Sequence, residues 1–203
     1  MVKETAAALG YGEIVFLDDA AKGSDVIGKC CDYIAKRDEY KVAVAAFGNN
    51  NTRLYWTDKL LEAGYEVPVI VHPSAVVSPS AVLEPGCFVM QRAVVNTHTK
   101  IGRACLINSG AVVDHDSVIG YGAHVGLGSI VKSNCTILPM KRVEPGEVIF
   151  STRRKIEGVD SRALEDALYA FGFGPQCSYV KPFGEGHINE TYAVYMPDRK
   201  SVV

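Results

Sequence analysis

His115 stands between Asp114 and Asp116, seven residues after Asn108 and nine before His124. A carboxylate beside an imidazole stabilises its protonated form, so this triplet suits a general base that takes a proton from an amine or hydroxyl near neutral pH. The same residues equally describe an exposed polar turn, and the triplet alone does not separate the two readings. His98 supplies a third imidazole, so His98, His115 and His124 could instead hold zinc. The six cysteines form no Cys-x-x-Cys pair, Cys30 and Cys31 are adjacent, and Cys177 stands alone. They read as reduced packing thiols, with no metal expected.

The elements that must position these residues are set by a repeat. Fourteen times in succession, every sixth residue from Val71 to Ile149 is Val, Ile or Leu. Period six is three strand periods of two, so one aliphatic per hexamer can point inward from each flat face of a triangular coil, with three hexamers to a coil. The residue four places after each aliphatic is small in almost every hexamer from Ala75 to Cys135, as a corner requires, and Cys87, Cys105 and Cys135 fall in that column. Burying each aliphatic contributes roughly 1.5 to 3 kcal/mol, so stacked coils share a continuous core. The clean coils are expected to stop soon after Pro139.

Residues 1–66 read as α/β: a helix over Lys3–Leu9, an apolar strand over Glu13–Asp19, another over Lys41–Phe47, then Gly48-Asn49-Asn50 and a helix through Leu61. Strand, turn and helix in that order is a nucleotide-binding pattern, but a doubly wound unit opens on a strand and a Gly-rich turn, and here a helix comes first. The opening strand is therefore expected to be missing. Residues 67–150 are the repeat region. Residues 151–203 begin with a charged linker and continue as a helix over Ser161–Phe171 and a Gly-rich hairpin.

Composition excludes little beyond this frame. With 203 residues, 48% hydrophobic content and a formal charge of −2, the chain has no electrostatic footprint for nucleic acid or an anionic membrane. No stretch approaches the roughly 18 apolar residues of a membrane span, and the charged opening lacks a signal-peptide core, which points to the cytoplasm.

Three segments carry a family resemblance: Phe16-Leu17-Asp18-Asp19, Phe47-Gly48-Asn49-Asn50, and the run from Ile107 through Asp114-His115-Asp116 to His124. On these the chain resembles the left-handed β-helix acyltransferases, more narrowly the sugar-nucleotide N-acetyltransferases of the bacillosamine and sialic-acid-cluster type, over roughly residues 2–131. The resemblance implies a truncated Rossmann-like part, a left-handed parallel β-helix and a homotrimer with acetyl-CoA bound between subunits. It places the general base on His115, the acid that raises its basicity on Asp116, and the Asn near the reacting group on Asn108. His124, Gly126 and Gly128 would meet the cofactor. Asp18, Asp19, Gly48, Asn49 and Asn50 would remain from the nucleotide-sugar site, whose other half is expected to be absent.

The tail, from Phe183 through His187 and Asn189 to Tyr192, resembles the opening hairpin of aminoglycoside and N-acetylhexosamine kinases, with no kinase activity expected of this chain. The leading function is acetyl transfer from acetyl-CoA to an amino group of a sugar or UDP-amino-sugar. The alternatives are a non-catalytic trimerising scaffold left by truncation of an acetyltransferase–kinase fusion, and a zinc-dependent carbonic anhydrase of the same helix type.

Overall fold

The structure is a computed structural model that describes residues 1–150 and, beyond them, the backbone of residues 179–182, 192–195 and 200–202. Residues Met1–Phe150 form one compact unit and Ser151–Val203 a second.

The hexapeptide aliphatics build a three-sided parallel solenoid. Its first face stacks Ile70–Val71, Phe88–Val89, Leu106–Ile107, His124–Val125 and Arg142–Val143. The second stacks Val76–Val77, Val94–Val95, Val112–Val113, Ile130–Val131 and Val148–Ile149, and the third Val82–Leu83, Lys100–Ile101, Val118–Ile119 and Thr136–Ile137. Every pairing is between residues one coil apart, such as Val113 with Val131 and Val95. The second residue of each two-residue strand is the repeat aliphatic, and together with the small corner residues they form the core.

The small column does more than fit. Cys87 and Cys105 donate their thiols to the carbonyls of Gly102 and Gly120, and Thr99 and Ser117 donate hydroxyls to those of Asp114 and Lys132. Each of these acceptors lies in the next coil, so the corner residues satisfy interior carbonyls that strand pairing leaves over. The five described cysteines are free thiols.

The corner residue three places after each aliphatic lies in the left-handed region without exception from Gly86 to Gly146, and six of these residues are not glycine. Stacked corner bonds, such as Asp116 N to Thr97 O at 3.0 Å and Gly122 N to Arg103 O at 2.8 Å, hold them there. The solenoid continues past Pro139, where the clean coils were expected to stop. Lys141 and Glu147 spoil the small column, but Val143 and Ile149 keep the inward register and Met140 and Gly146 keep the left-handed corner.

The N-terminal part departs further from expectation. The first helix, α1 (Val2–Ala8), forms, but the strand expected over Glu13–Asp19 shrinks to β1 (Phe16–Leu17), which pairs in parallel with β2 (Val26–Gly28). Lys41–Phe47 forms no strand, only an isolated bridge between Val42 and Glu66. A 3₁₀ turn over Cys30–Asp32 and the short α2 (Tyr33–Lys36) were not foreseen. Extended apolar segments become regular strands only when a neighbour pairs along their length, and here the pairing covers two residues at Phe16–Leu17 and a single bridge at Val42.

Helix α3 (Asn50–Glu62) is capped by Asn49, whose Oδ1 accepts from Thr52 N at 3.0 Å. It stops at Gly64, where φ of +77° lets Gly64 N reach Leu61 O and Tyr65 N reach Leu60 O. It packs along the solenoid edge between the third and first faces. Arg53, fully buried, holds it there: Nε donates to Ala104 O at 2.8 Å, Nη2 to Gly122 O at 3.0 Å and Asn50 Oδ1 at 2.9 Å, and Nη1 to Phe47 O at 3.0 Å. At the same edge a Cβ on Gly86, itself at φ +72°, would stand 2.7 Å from Thr57 Cγ2. Ile70, Phe88 and Met90 of the first face are covered by Val2, Tyr11 and Val44.

Tyr179–Pro182, Tyr192–Tyr195 and Lys200–Val202 form an antiparallel sheet, the first two strands pairing Val180 with Val194. The expected helix over Ser161–Phe171 and the turn carrying His187 and Asn189 lie outside the described residues. Among the described residues, no helix is long and apolar enough to cross a membrane.

Candidate active site

His115 and Asp116 follow the second face, on the corner that leads to the third. His115 Nδ1 lies 2.8 Å from Asp116 Oδ2, and the ring is about half exposed. With Nδ1–H directed at the carboxylate, Nε2 of the neutral ring keeps its lone pair. The Asp116 contact, reinforced by the Asp114 charge, raises the His115 pKa, while Asp116 is itself held below the usual carboxylate range by His115.

Of the two flanking acids only Asp116 bonds the ring. Asp114 Oδ1 accepts from His115 N and from Asn96 Nδ2, both at 2.9 Å, and these bonds lower its pKa. Asp114 therefore fixes the backbone of the base. His98 Nδ1 lies 3.4 Å from the other oxygen of Asp116, so one carboxylate bridges two imidazoles. Asn96 escaped the sequence reading and His98 entered it only as a possible zinc ligand, yet each sits one 18-residue coil before its partner, and that period was the signal that could have placed them here.

Asn108, Gly126 and Gly128 lie on the preceding corner, between the first and second faces, with His124 on the first face beside it. Asn108 Oδ1 accepts from Ser109 N at 2.8 Å, which turns its Nδ2 to His124 Nε2 at 3.2 Å. The His124 ring proton therefore belongs on Nδ1, which is buried without a partner. Burial, followed by the charges of Arg142 and Arg53, pushes the His124 pKa down to about 4, so the ring is neutral at physiological pH. The N–H groups of Gly126 and Gly128 are committed to Val143 O at 3.1 Å and Ser109 O at 3.0 Å. What Gly128 offers a ligand is bare backbone, since a Cβ there would meet nothing within 4 Å.

No hydrogen bond joins the His115 and His124 clusters among the described residues; they lie on the two corners that flank the second face. The three histidines accordingly do not gather into one cluster within the chain. Among the described residues no group of three or more His, Cys, Asp or Glu is arranged to hold a metal.

The residues expected at the nucleotide-sugar site have structural tasks as well. Asp18 Oδ1 accepts from Ala20 N and Ala21 N at 2.8 Å, which lowers its pKa, and Asp19 Oδ1 accepts from Cys30 N at 3.0 Å. Asn50 Nδ2 donates to Met140 O at 3.0 Å while its Oδ1 receives Arg53, and Gly48 O accepts from Arg53 at 3.3 Å. Asp18 and Phe47 line one cavity of about 590 Å³. Arg53 was missed as a residue of consequence, and one arginine in a helix of mixed polarity gives no sign that it will be buried.

Known proteins share this fold. The PglD N-terminal domain family matches residues 1–60. The crystal structure of PerB from Caulobacter crescentus, in complex with CoA and GDP-perosamine, is 31% identical over 74% of this chain and 83% of that one, with a TM-score of 0.63. The acetyltransferase domain of PglB from Neisseria gonorrhoeae is 32% identical over 74% and 85%, with a TM-score of 0.56, and has also been solved with acetyl coenzyme A. At this identity and coverage, with a solenoid of the same kind, the chain belongs to the left-handed β-helix sugar N-acetyltransferase family and is an acetyltransferase.

Proposed function

We propose that the chain transfers acetyl from acetyl-CoA to the amino group of a sugar or nucleotide sugar, with His115 as general base. The observation that carries this reading is the 2.8 Å contact between His115 Nδ1 and Asp116, which leaves Nε2 of the neutral ring free of a proton and the imidazole more basic than an isolated one. The amine nitrogen attacks the thioester carbonyl, Nε2 accepts the amine proton, and collapse of the tetrahedral intermediate forms the amide and expels the CoA thiolate. The proton on His115 then passes to that thiolate. Neutral His124, anchored by Asn108, borders the thioester end of the cofactor, and Gly128 allows the cofactor's arm to approach the backbone. Asp18, Asp19 and Gly48 to Asn50 border the acceptor's nucleotide.

The reading includes a homotrimer. The second face carries an outward ladder of Val76, Val94, Val112, Ile130 and Val148, all at least partly exposed in one chain, and the His115 and His124 clusters flank it. Packing this ladder against a neighbour would bring the His115 corner of one subunit beside the His124 corner of another, uniting clusters that one chain keeps apart. Five free thiols among the described residues, three of them buried at corners, fit the cytoplasm.

The test is thiol release from acetyl-CoA across a panel of UDP- and GDP-linked amino sugars and free amino sugars. Release that depends on the amine is expected. Coenzyme A binding with no acceptor-dependent release would favour the non-catalytic scaffold instead.

A further inference from the structure

We propose that His98 is a positioning residue of the proton-accepting site, holding the Asp116 carboxylate by the oxygen that His115 does not use. The inference rests on the reading of His115 as general base.

Residue for residue, the corner Asn96-Thr97-His98 supports the corner Asp114-His115-Asp116 one coil later. Asn96 Nδ2 donates to Asp114 Oδ1 at 2.9 Å, Thr97 O accepts from Asp116 N at 3.0 Å, and His98 Nδ1 stands 3.4 Å from Asp116 Oδ1. The first two contacts fix Asp114 and the Asp116 backbone, but neither restrains rotation of the Asp116 side chain. That side chain is about half exposed, and its bond to an equally exposed His115 is of the kind that solvent weakens. A second anchor, on Oδ1, opposes the rotation that would break the first.

His98 is in turn placed by the coil before it. Its backbone N donates to Ser80 Oγ at 3.1 Å, and its φ of +56° matches that of Asp116, so Ser80, His98 and Asp116 form one column along the corner. An ionised carboxylate only accepts, so the contact is favourable with a hydrogen on Nδ1 of His98, which the neutral ring can supply. A protonated His98 would act with the opposite sign: it would compete with the His115 imidazolium for one negative charge and make His115 less basic. The other charged groups around the base are Asp114 on its own corner and Lys132, one coil after Asp114 and near enough to help lower its pKa. Changing residue 98 leaves both in place.

Two variants of the whole chain test the assignment. His98→Gly removes the ring and keeps the left-handed corner free of strain, whereas His98→Asn sets an amide N–H near the place of Nδ1 on a backbone that Asn tolerates. The His115 imidazole is titrated by NMR, and kcat/KM is followed across the same pH range by thiol release from acetyl-CoA with the best acceptor of the amino-sugar panel. In His98→Gly the His115 midpoint is expected about 0.3 to 0.7 lower in pH, and the alkaline plateau of kcat/KM about two- to fivefold lower, the scale of an exposed ion pair. His98→Asn is expected to recover most of both. A midpoint unchanged in His98→Gly overturns the proposal, and so does a loss that His98→Asn does not repair. A midpoint that rises in both variants overturns it in favour of charge competition. Wild-type acetyl transfer in His115→Ala would remove the base reading itself, whereas the NMR titration reports the His98 contact without any acetyl transfer, so the two failures are distinguishable.

Discussion

His115 Nδ1 and Asp116 Oδ2 are 2.8 Å apart although Asp116 occupies a left-handed corner, φ +56°, a conformation uncommon for any residue but glycine. The corner that turns the chain between faces is also the device that swings the carboxylate against the imidazole next to it. Asparagine and aspartate tolerate this backbone better than most side chains, so the solenoid can place an acid here at little conformational cost.

Replacing His115 with Ala is expected to lower acetyl transfer roughly 10²- to 10⁴-fold, the range for loss of a general base, without changing the oligomer. Asp116→Asn should cost less, because Nε2 remains. Thiol release at saturating acetyl-CoA measures both, and equal activity in wild type and His115→Ala would show the base to be another group.

The pH profile should carry the same signature. Asp116 stabilises the imidazolium and raises the His115 pKa, so the reactive neutral form develops only as pH climbs through a midpoint above the ordinary histidine value. Asp116→Asn removes that stabilisation and should move the acidic limb of kcat/KM to lower pH. A limb that stays in place would separate Asp116 from the base.

On the second face, Val112→Glu sets a charge in the middle of the exposed aliphatic ladder. Light scattering should show a trimer for the wild type and a smaller species for the variant, with acetyl transfer lost in parallel. A wild-type monomer at micromolar concentration would remove the shared site.

Arg53→Ala leaves the carbonyls of Ala104 and Gly122 buried without a donor and opens a void at the helix–solenoid edge. A loss of about 2 to 5 kcal/mol is expected in denaturant unfolding. Hydrogen exchange should quicken first in α3, with the coils between Val71 and Ile149 remaining slow.

His124 makes stability fall in acid. Its folded pKa, about 4, lies below that of an unfolded histidine, so both states are neutral above the unfolded pKa and no stability is lost there. As pH drops toward 4 the unfolded chain binds a proton that the native ring refuses, and stability declines through that window. His124→Asn should flatten the decline, as followed by denaturant midpoints across the range.

The sequence by itself determined the solenoid, because the repeat is local and each coil pairs only with the one 18 residues away. Aliphatics from Val71 to Ile149, the small corner column and hence the three faces need no long-range information. The neighbourhood of His115 and Asp116 was legible for the same reason, since adjacent residues on a fixed corner have little freedom. Tertiary structure decided what depends on a second element or a second coil. Asn108 meets His124 rather than His115, Asp116 serves two histidines, and Arg53 disappears beneath the edge of the solenoid. The expected strands over Glu13–Asp19 and Lys41–Phe47 were likewise decided outside themselves: an apolar run carries a preference for extension, but only a partner that follows it along its length converts it into a ladder.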